Sequence, residues 1–163
     1  AGILSWGQDM DNETSPFQVN LAYQVPRQKE ADYIGRAALE AQRDEIDAGR
    51  YPFKLKLVGL RMGGCPITDY APDFWLISAP DGARVGYVTS PWWSPELECN
   101  IALGYVPWAL SDIGTELKVA LPERYTDVSG QLVDATVAEI PFRPSVHPSA
   151  REKARASGRD WAE

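Results

Sequence analysis

The chain has 163 residues, 44% of them hydrophobic and 24% charged, with 13 Gly and 13 Pro, enough to bury roughly two-thirds of its unfolded surface without disulfide or metal staples. Sixteen Lys and Arg against 23 Asp and Glu give a formal charge of −7, which excludes a general affinity for nucleic acid or for an anionic membrane surface. No apolar run reaches the roughly 18–20 residues of a membrane span and no basic-then-apolar leader opens the sequence, so a cytoplasmic location is expected.

The opening run Ala1-Gly-Ile-Leu-Ser-Trp-Gly-Gln-Asp reads as the middle of a strand entering a turn, and the expectation is a chain that begins inside a larger protein. Asp9, Asp11, Asn12 and Glu13 lack the 12-residue spacing and closing Glu of a calcium loop and read as a solvated turn. From Phe17 to Val25, the apolar residues Phe17, Val19, Leu21 and Tyr23 alternate, which predicts a short strand with all four on one face. Residues 32–48 are rich in helix formers, place Ile34, Ala38 and Ala41 at helical spacing and stop at Gly49, so one long helix is expected there.

At Lys54 the texture changes from helical spacing to alternation. Strands are predicted over Lys54–Leu60 and Phe74–Ser78, the latter joined through Pro80-Asp81-Gly82 to a strand from Arg84 to Thr89 as a hairpin. Asn100–Val106 follows, and Glu116–Leu121 is expected to pair with Leu132–Ile140 across a loop holding Ser129-Gly130. Five or more short antiparallel strands in residues 54–141 predict a small barrel or sandwich, with the helix outside it. The remainder, residues 144–163, is a proline-rich, basic tail in which Ser149 is placed to cap a short helix from Ala150 to about Ala156.

Little in this chain is suited to bond-making chemistry. There is no Gly-x-Ser-x-Gly elbow, Gly63-Gly64 lacks the Lys and Ser/Thr of a phosphate loop, and a single histidine, His147, leaves no ligand set for a metal. Cys65 and Cys99 form no Cys-x-x-Cys pair and are expected to be reduced and structural. Six Trp include the pair Trp92-Trp93 between Pro91 and Pro95, read as a stiff loop on which at least one indole must face away from the core. Such an indole suits a flat ring or a methylated cation, with core packing or a domain contact as the alternative.

Five stretches, in order, carry a family resemblance. Trp6-Gly7-Gln8-Asp9-Met10-Asp11 through Thr14-Ser15-Pro16 to Leu21-Ala22-Tyr23, Asp32-Tyr33-Ile34-Gly35-Arg36-Ala37-Ala38-Leu39, Val58-Gly59-Leu60, Gly86-Tyr87-Val88-Thr89-Ser90 with Ser94-Pro95 and Asn100-Ile101-Ala102-Leu103-Gly104-Tyr105-Val106, and Ile140-Pro141-Phe142-Arg143-Pro144 together resemble the glycine cleavage T-protein (aminomethyltransferase) family over about residues 3–146. The resemblance implies an α+β chain: the end of a folate-binding domain over residues 1–50, a partial α/β segment with one helix, then a C-terminal antiparallel β-barrel over residues 51–143 and the tail over 144–163. It implies a tetrahydrofolate-dependent enzyme whose central site lies between three domains. The N-terminal domains of the same protein would then be this chain's partners and would carry the catalytic acid, so no catalytic residue is assigned here and the chain alone is expected to be inactive.

By position, the family's folate-lining Trp falls on Tyr23 and the aromatic near the ligand tail falls on His147, so both are candidate folate contacts. Trp92 and Trp93 stand where the family usually has small residues or Cys, Gln18 where it often has Glu, and the basic tail is additional. These departures favour a demethylase moving a methyl group from a small donor, of the dimethylsulfoniopropionate or methoxyaromatic kind, to tetrahydrofolate, with Trp92 and Trp93 at the substrate entrance. The alternatives are an aminomethyltransferase served by a lipoyl carrier protein and a non-catalytic module that binds folate or a partner.

Overall fold

The computed structural model describes residues 2–25, 27, 31–126 and 130–142. Its chain separates into two compact units, Ala1–Glu13 with Leu55–Arg143 and Thr14–Lys54 with Pro144–Glu163.

Strands β1 (Lys56–Met62), β2 (Trp75–Ser78), β3 (Arg84–Ser94), β4 (Cys99–Val106), β5 (Glu116–Ala120) and β6 (Leu132–Ala138) build the first unit. They form a closed barrel in the order β1-β4-β3-β2-β5-β6, every pair antiparallel, with β6 returning to β1. Alternation along each strand decides what lies inside. Val58, Leu60 and Met62 of β1, Leu117 and Val119 of β5, and Val133, Ala135 and Val137 of β6 all enter one core together with Trp75, Ile77, Val88, Ala102 and Val106. A barrel this small is filled by its own side chains, so its interior is a core and not a ligand channel.

The predicted hairpin forms between β2 and β3. Ala79 donates its N–H to the Ala83 carbonyl at 2.9 Å and Asp81 Oδ1 accepts from the Ala83 N–H at 2.9 Å. Gly82 takes the left-handed conformation (φ 87°) that the turn requires. Where β1 leaves the barrel, buried Asn100 holds the next loop. Its Oδ1 accepts from the Ile67 N–H at 3.0 Å, and its Nδ2 donates to the Gly63 and Cys65 carbonyls at 3.0 and 2.9 Å.

The outer surface of the barrel is unevenly covered. On β2, β5 and β6 the outward residues Leu76, Glu116, Leu132, Asp134 and Thr136 are exposed, whereas on β1 and β4 the outward residues Leu57, Leu103 and Tyr105 are buried. Part of that cover lies over Gly59, where a Cβ would fall within about 3 Å of the Ile140 and Phe142 side chains.

In the second unit, the expected strand from Phe17 to Val25 does not form. Residues 16–20 are turns and Ala22–Gln24 is a short 3₁₀ turn, η1. Asn20 adopts a positive φ of 61° and the Leu21 N–H reaches back to the Pro16 carbonyl at 2.8 Å, which folds the segment on itself where alternation alone had suggested extension. Phe17 and Val19 are buried, while Tyr23 is 43% exposed. The helix, α1, runs over Arg36–Asp47, beginning after Gly35 and not at Asp32. Its covered stripe is Leu39, Gln42, Arg43 and Ile46, whereas Ala38, Ala41 and the preceding Ile34 are exposed. Alanine has little surface to bury, so the longer side chains on the adjacent stripe decide which face packs.

Candidate functional site

Two arrangements of polar side chains stand out, one in each unit. In the barrel unit, Asp9 is 1% exposed, a correction to the solvated turn expected for residues 9–13. Asp11, Asn12 and Glu13 are exposed as that reading requires. The Asp9 carboxylate accepts from the Ser5 N–H at 2.8 Å, the Thr89 hydroxyl at 2.5 Å and the Ser90 hydroxyl at 2.7 Å, while its carbonyl accepts from the Tyr105 hydroxyl at 2.7 Å. Gln8 adds Nε2 bonds to the carbonyls of Thr89 and Ala71.

The strand provides for this through an irregularity. In the β3–β4 register Val88 faces Gly104 and Ser90 faces Leu103, so Thr89 is an extra residue. A bulge of this kind breaks the two-residue alternation. Two consecutive hydroxyls, Thr89 and Ser90, can therefore reach the same carboxylate oxygen. The result is a strap: residues 5–9 are fastened to the outside of the barrel by a fully engaged buried carboxylate.

Beside the strap, Tyr87 forms an aromatic row with Phe74 at 5.2 Å and Tyr105 at 5.4 Å between ring centroids. Burial, and secondarily the negative charge of Asp11, push the Tyr87 phenol above the ordinary tyrosine value of 10.0.

The Trp92-Trp93 pair is not in a loop. Both residues belong to β3, paired with Ile101 and Asn100 of β4. Pro91 reads as a loop residue because it removes a ladder donor, yet it follows directly on the bulge, where a strand tolerates it. Successive strand residues point to opposite faces. Trp92 accordingly faces out and is 45% exposed, whereas Trp93 is half-buried and donates its N–H to the Ile67 carbonyl at 2.8 Å. One indole thus faces away from the core as expected from the sequence, but both stand on a strand and not on a loop.

In the second unit, Tyr23 sits in η1, and Arg43 of α1 anchors that turn. The Arg43 guanidinium donates to the Val25 carbonyl and, at 3.5 Å, to the Ala22 carbonyl, and it lies over the Phe17 ring at 5.2 Å. One helical position earlier, Gln42 accepts from the Ser15 hydroxyl at 2.7 Å. Tyr23 is the one folate candidate that the structure describes; His147 and the helix expected over residues 150–156 lie outside the described residues. Sequence reading missed Asp9 and Arg43 as organising residues. The signal for Arg43 was its place on the stripe of Leu39 and Ile46, whereas nothing local announced the burial of Asp9.

Both cysteines are free thiols, Cys65 exposed and Cys99 half-buried. Among the described residues, no helix is long and apolar enough to cross a membrane.

Comparison with known proteins places this geometry. Residues 56–143 match the model of the glycine cleavage T-protein C-terminal barrel domain, which covers more than half of the chain. An aminomethyltransferase of Synechococcus sp. (strain CC9311) is 41% identical over 142 residues, 87% of this chain and 34% of the relative. Another, from Prochlorococcus marinus (strain MIT 9313), is 38% identical over 148 residues, 90% of this chain and 35% of the relative. The crystal structure of the glycine cleavage system aminomethyltransferase T from Bartonella henselae superposes with a TM-score of 0.66 at 27% identity, covering 88% of this chain and 36% of that one. The chain spans about a third of the length of these relatives. With its closed antiparallel barrel, helix α1 before it and these matches, the chain belongs to the glycine cleavage T-protein family and carries that family's C-terminal barrel domain.

Proposed function

We propose that this chain is the C-terminal part of a tetrahydrofolate-dependent aminomethyltransferase, the activity residing in a longer protein whose preceding domains supply the catalytic acid. The observation that carries the reading is that similarity to proteins named aminomethyltransferase extends over 87% of the chain, too much of it to be confined to the barrel. The residues present suit one part of such a site. Tyr23 offers an exposed ring on an anchored turn, as stacking on the flat part of a folate requires. Bound tetrahydrofolate would accept the one-carbon unit, while this chain's share is to hold and orient it and to exclude water.

The demethylase expected from the sequence loses its footing. It rested on an indole facing away from the core on a stiff loop, with Gln18 and the basic tail; Trp92 does face outward, but from within β3, and the relatives that match are named aminomethyltransferase. The lipoyl-borne aminomethyl donor is therefore the preferred substrate.

The test is to supply the complete protein with tetrahydrofolate and either an aminomethyl-loaded lipoyl carrier protein or small methyl donors. Folate-dependent ammonia release from the carrier is expected. Methyl transfer from dimethylsulfoniopropionate or a methoxyarene, with none from the carrier, would overturn the proposal in favour of a demethylase, and inactivity with every donor would favour a binding module.

A further inference from the structure

We propose that Arg43 is a positioning residue for folate, acting through the turn that presents Tyr23; the proposal rests on the reading of Tyr23 as a folate-stacking ring. Turn η1 is three residues long and buries none of them. Its own bonds are the Gln24 N–H to the Leu21 carbonyl at 2.9 Å and the Val25 N–H to the Ala22 carbonyl at 3.0 Å. A lone 3₁₀ turn with so little packing does not hold its shape by itself.

Arg43 supplies the missing constraint from a regular helix. Its guanidinium donates to the carbonyls of Ala22 and Val25, on either side of Tyr23 in the chain, and the same plane covers the ring of Phe17, which is 7% exposed. Turn, helix and buried ring thus meet at one group. Both bonds come from one nitrogen, Nη2, while the guanidinium plane stacks on the ring, and lysine could match the donors but offers a point charge without that plane. Tyr23 is left outside this network with its ring exposed. A ring held in place before the ligand arrives spares the ligand the cost of ordering it. Arg43 touches neither the folate nor a reacting atom in this scheme, and its effect is felt as affinity.

The experiment uses the complete protein with (6S)-tetrahydrofolate as the probe, and compares Arg43→Met, Arg43→Lys, Tyr23→Ala and the Arg43→Met/Tyr23→Ala double variant. Arg43→Met keeps the stem and removes the donors. It is expected to raise KM for tetrahydrofolate about five- to tenfold with kcat nearly unchanged, the pattern of lost ground-state and transition-state binding alike. Arg43→Lys is expected to recover part of the loss, and it carries the test if Arg43→Met does not fold. In the Tyr23→Ala background Arg43→Met is expected to add nothing further. If Tyr23→Ala weakens binding and neither Arg43 variant does, the positioning role is overturned while the folate site stands. Full additivity of the two substitutions overturns it as well, since general stabilisation would then explain the loss. If Tyr23→Ala itself leaves KM unchanged, the folate reading of Tyr23 falls and the proposal with it.

Discussion

Asp9 carries more of the strap than any other side chain, because three donors converge on one buried carboxylate. Asp9→Ala would leave the Thr89 and Ser90 hydroxyls and the Ser5 amide without that acceptor, and is expected to cost about 2–4 kcal/mol. Urea unfolding should show a lower midpoint at an unchanged slope. The second residue-scale prediction concerns Tyr87, whose phenol is held above 10.0 by burial and then by Asp11. A group whose folded pKa is raised stabilises the fold below its unfolded pKa, and that stability is lost as pH rises through the folded value. Stability should therefore fall above about pH 10, with Tyr87→Phe removing this component. Asp11→Asn should move the ultraviolet titration of Tyr87 back toward the ordinary tyrosine value.

Strand β3 holds the tightest backbone approach in the barrel. It pairs with both β2 and β4, carries the Thr89 bulge and brings its backbone against β4 at Gly86. A Cβ at Gly86 would stand 1.9 Å from the Tyr105 carbonyl oxygen, a distance that only separation of the strands can relieve. Gly86→Ala is therefore expected to cost about 3 kcal/mol or more and to leave much of the protein insoluble. An alanine at Gly82 makes a useful comparison: nothing lies within 4 Å there, and the positive φ alone penalises it, so a smaller loss of about 1 kcal/mol is expected. Thermal unfolding of the two variants side by side checks the order. Helix α1 depends on different forces, since its covered stripe mixes Leu39 and Ile46 with Gln42 and Arg43. It packs partly through hydrogen bonds to the segment before it.

At the scale of the whole molecule, the barrel is a filled scaffold, and the ligand chemistry proposed for this protein requires surfaces outside its core. Tyr23 is such a surface residue. In the complete protein, Tyr23→Ala should weaken tetrahydrofolate binding by about 1–3 kcal/mol through loss of stacking and of the volume of the ring. Equilibrium titration followed by intrinsic fluorescence would measure it, and Tyr23→Phe should retain most of the affinity because it keeps the ring face.

Local signals placed six barrel strands and two of their pairings, β2 with β3 and β5 with β6, whereas the four pairings that close the barrel appear only in the fold. Alternation in Lys54–Leu60 and Leu132–Ile140, and the Asp81-Gly82 turn, are local signals, and a two-residue period fixes which side chains can share a core before any partner strand is known. The ordered motifs likewise identified the family, because they lie in one chain at family spacing. Three further outcomes were decided only by tertiary structure. Phe17 to Val25 alternates as a strand does but folds as turns, since alternation states which residues can share a face and supplies no neighbouring strand to pair with. Trp92 and Trp93 entered β3 because pairing with β4 outweighed the local signal of the flanking prolines. Asp9 is buried because a bulge 80 residues further along the chain turns two hydroxyls toward it. A carboxylate finds its partners across the fold and not along the sequence, so burial of such a group is settled only when distant strands close around it.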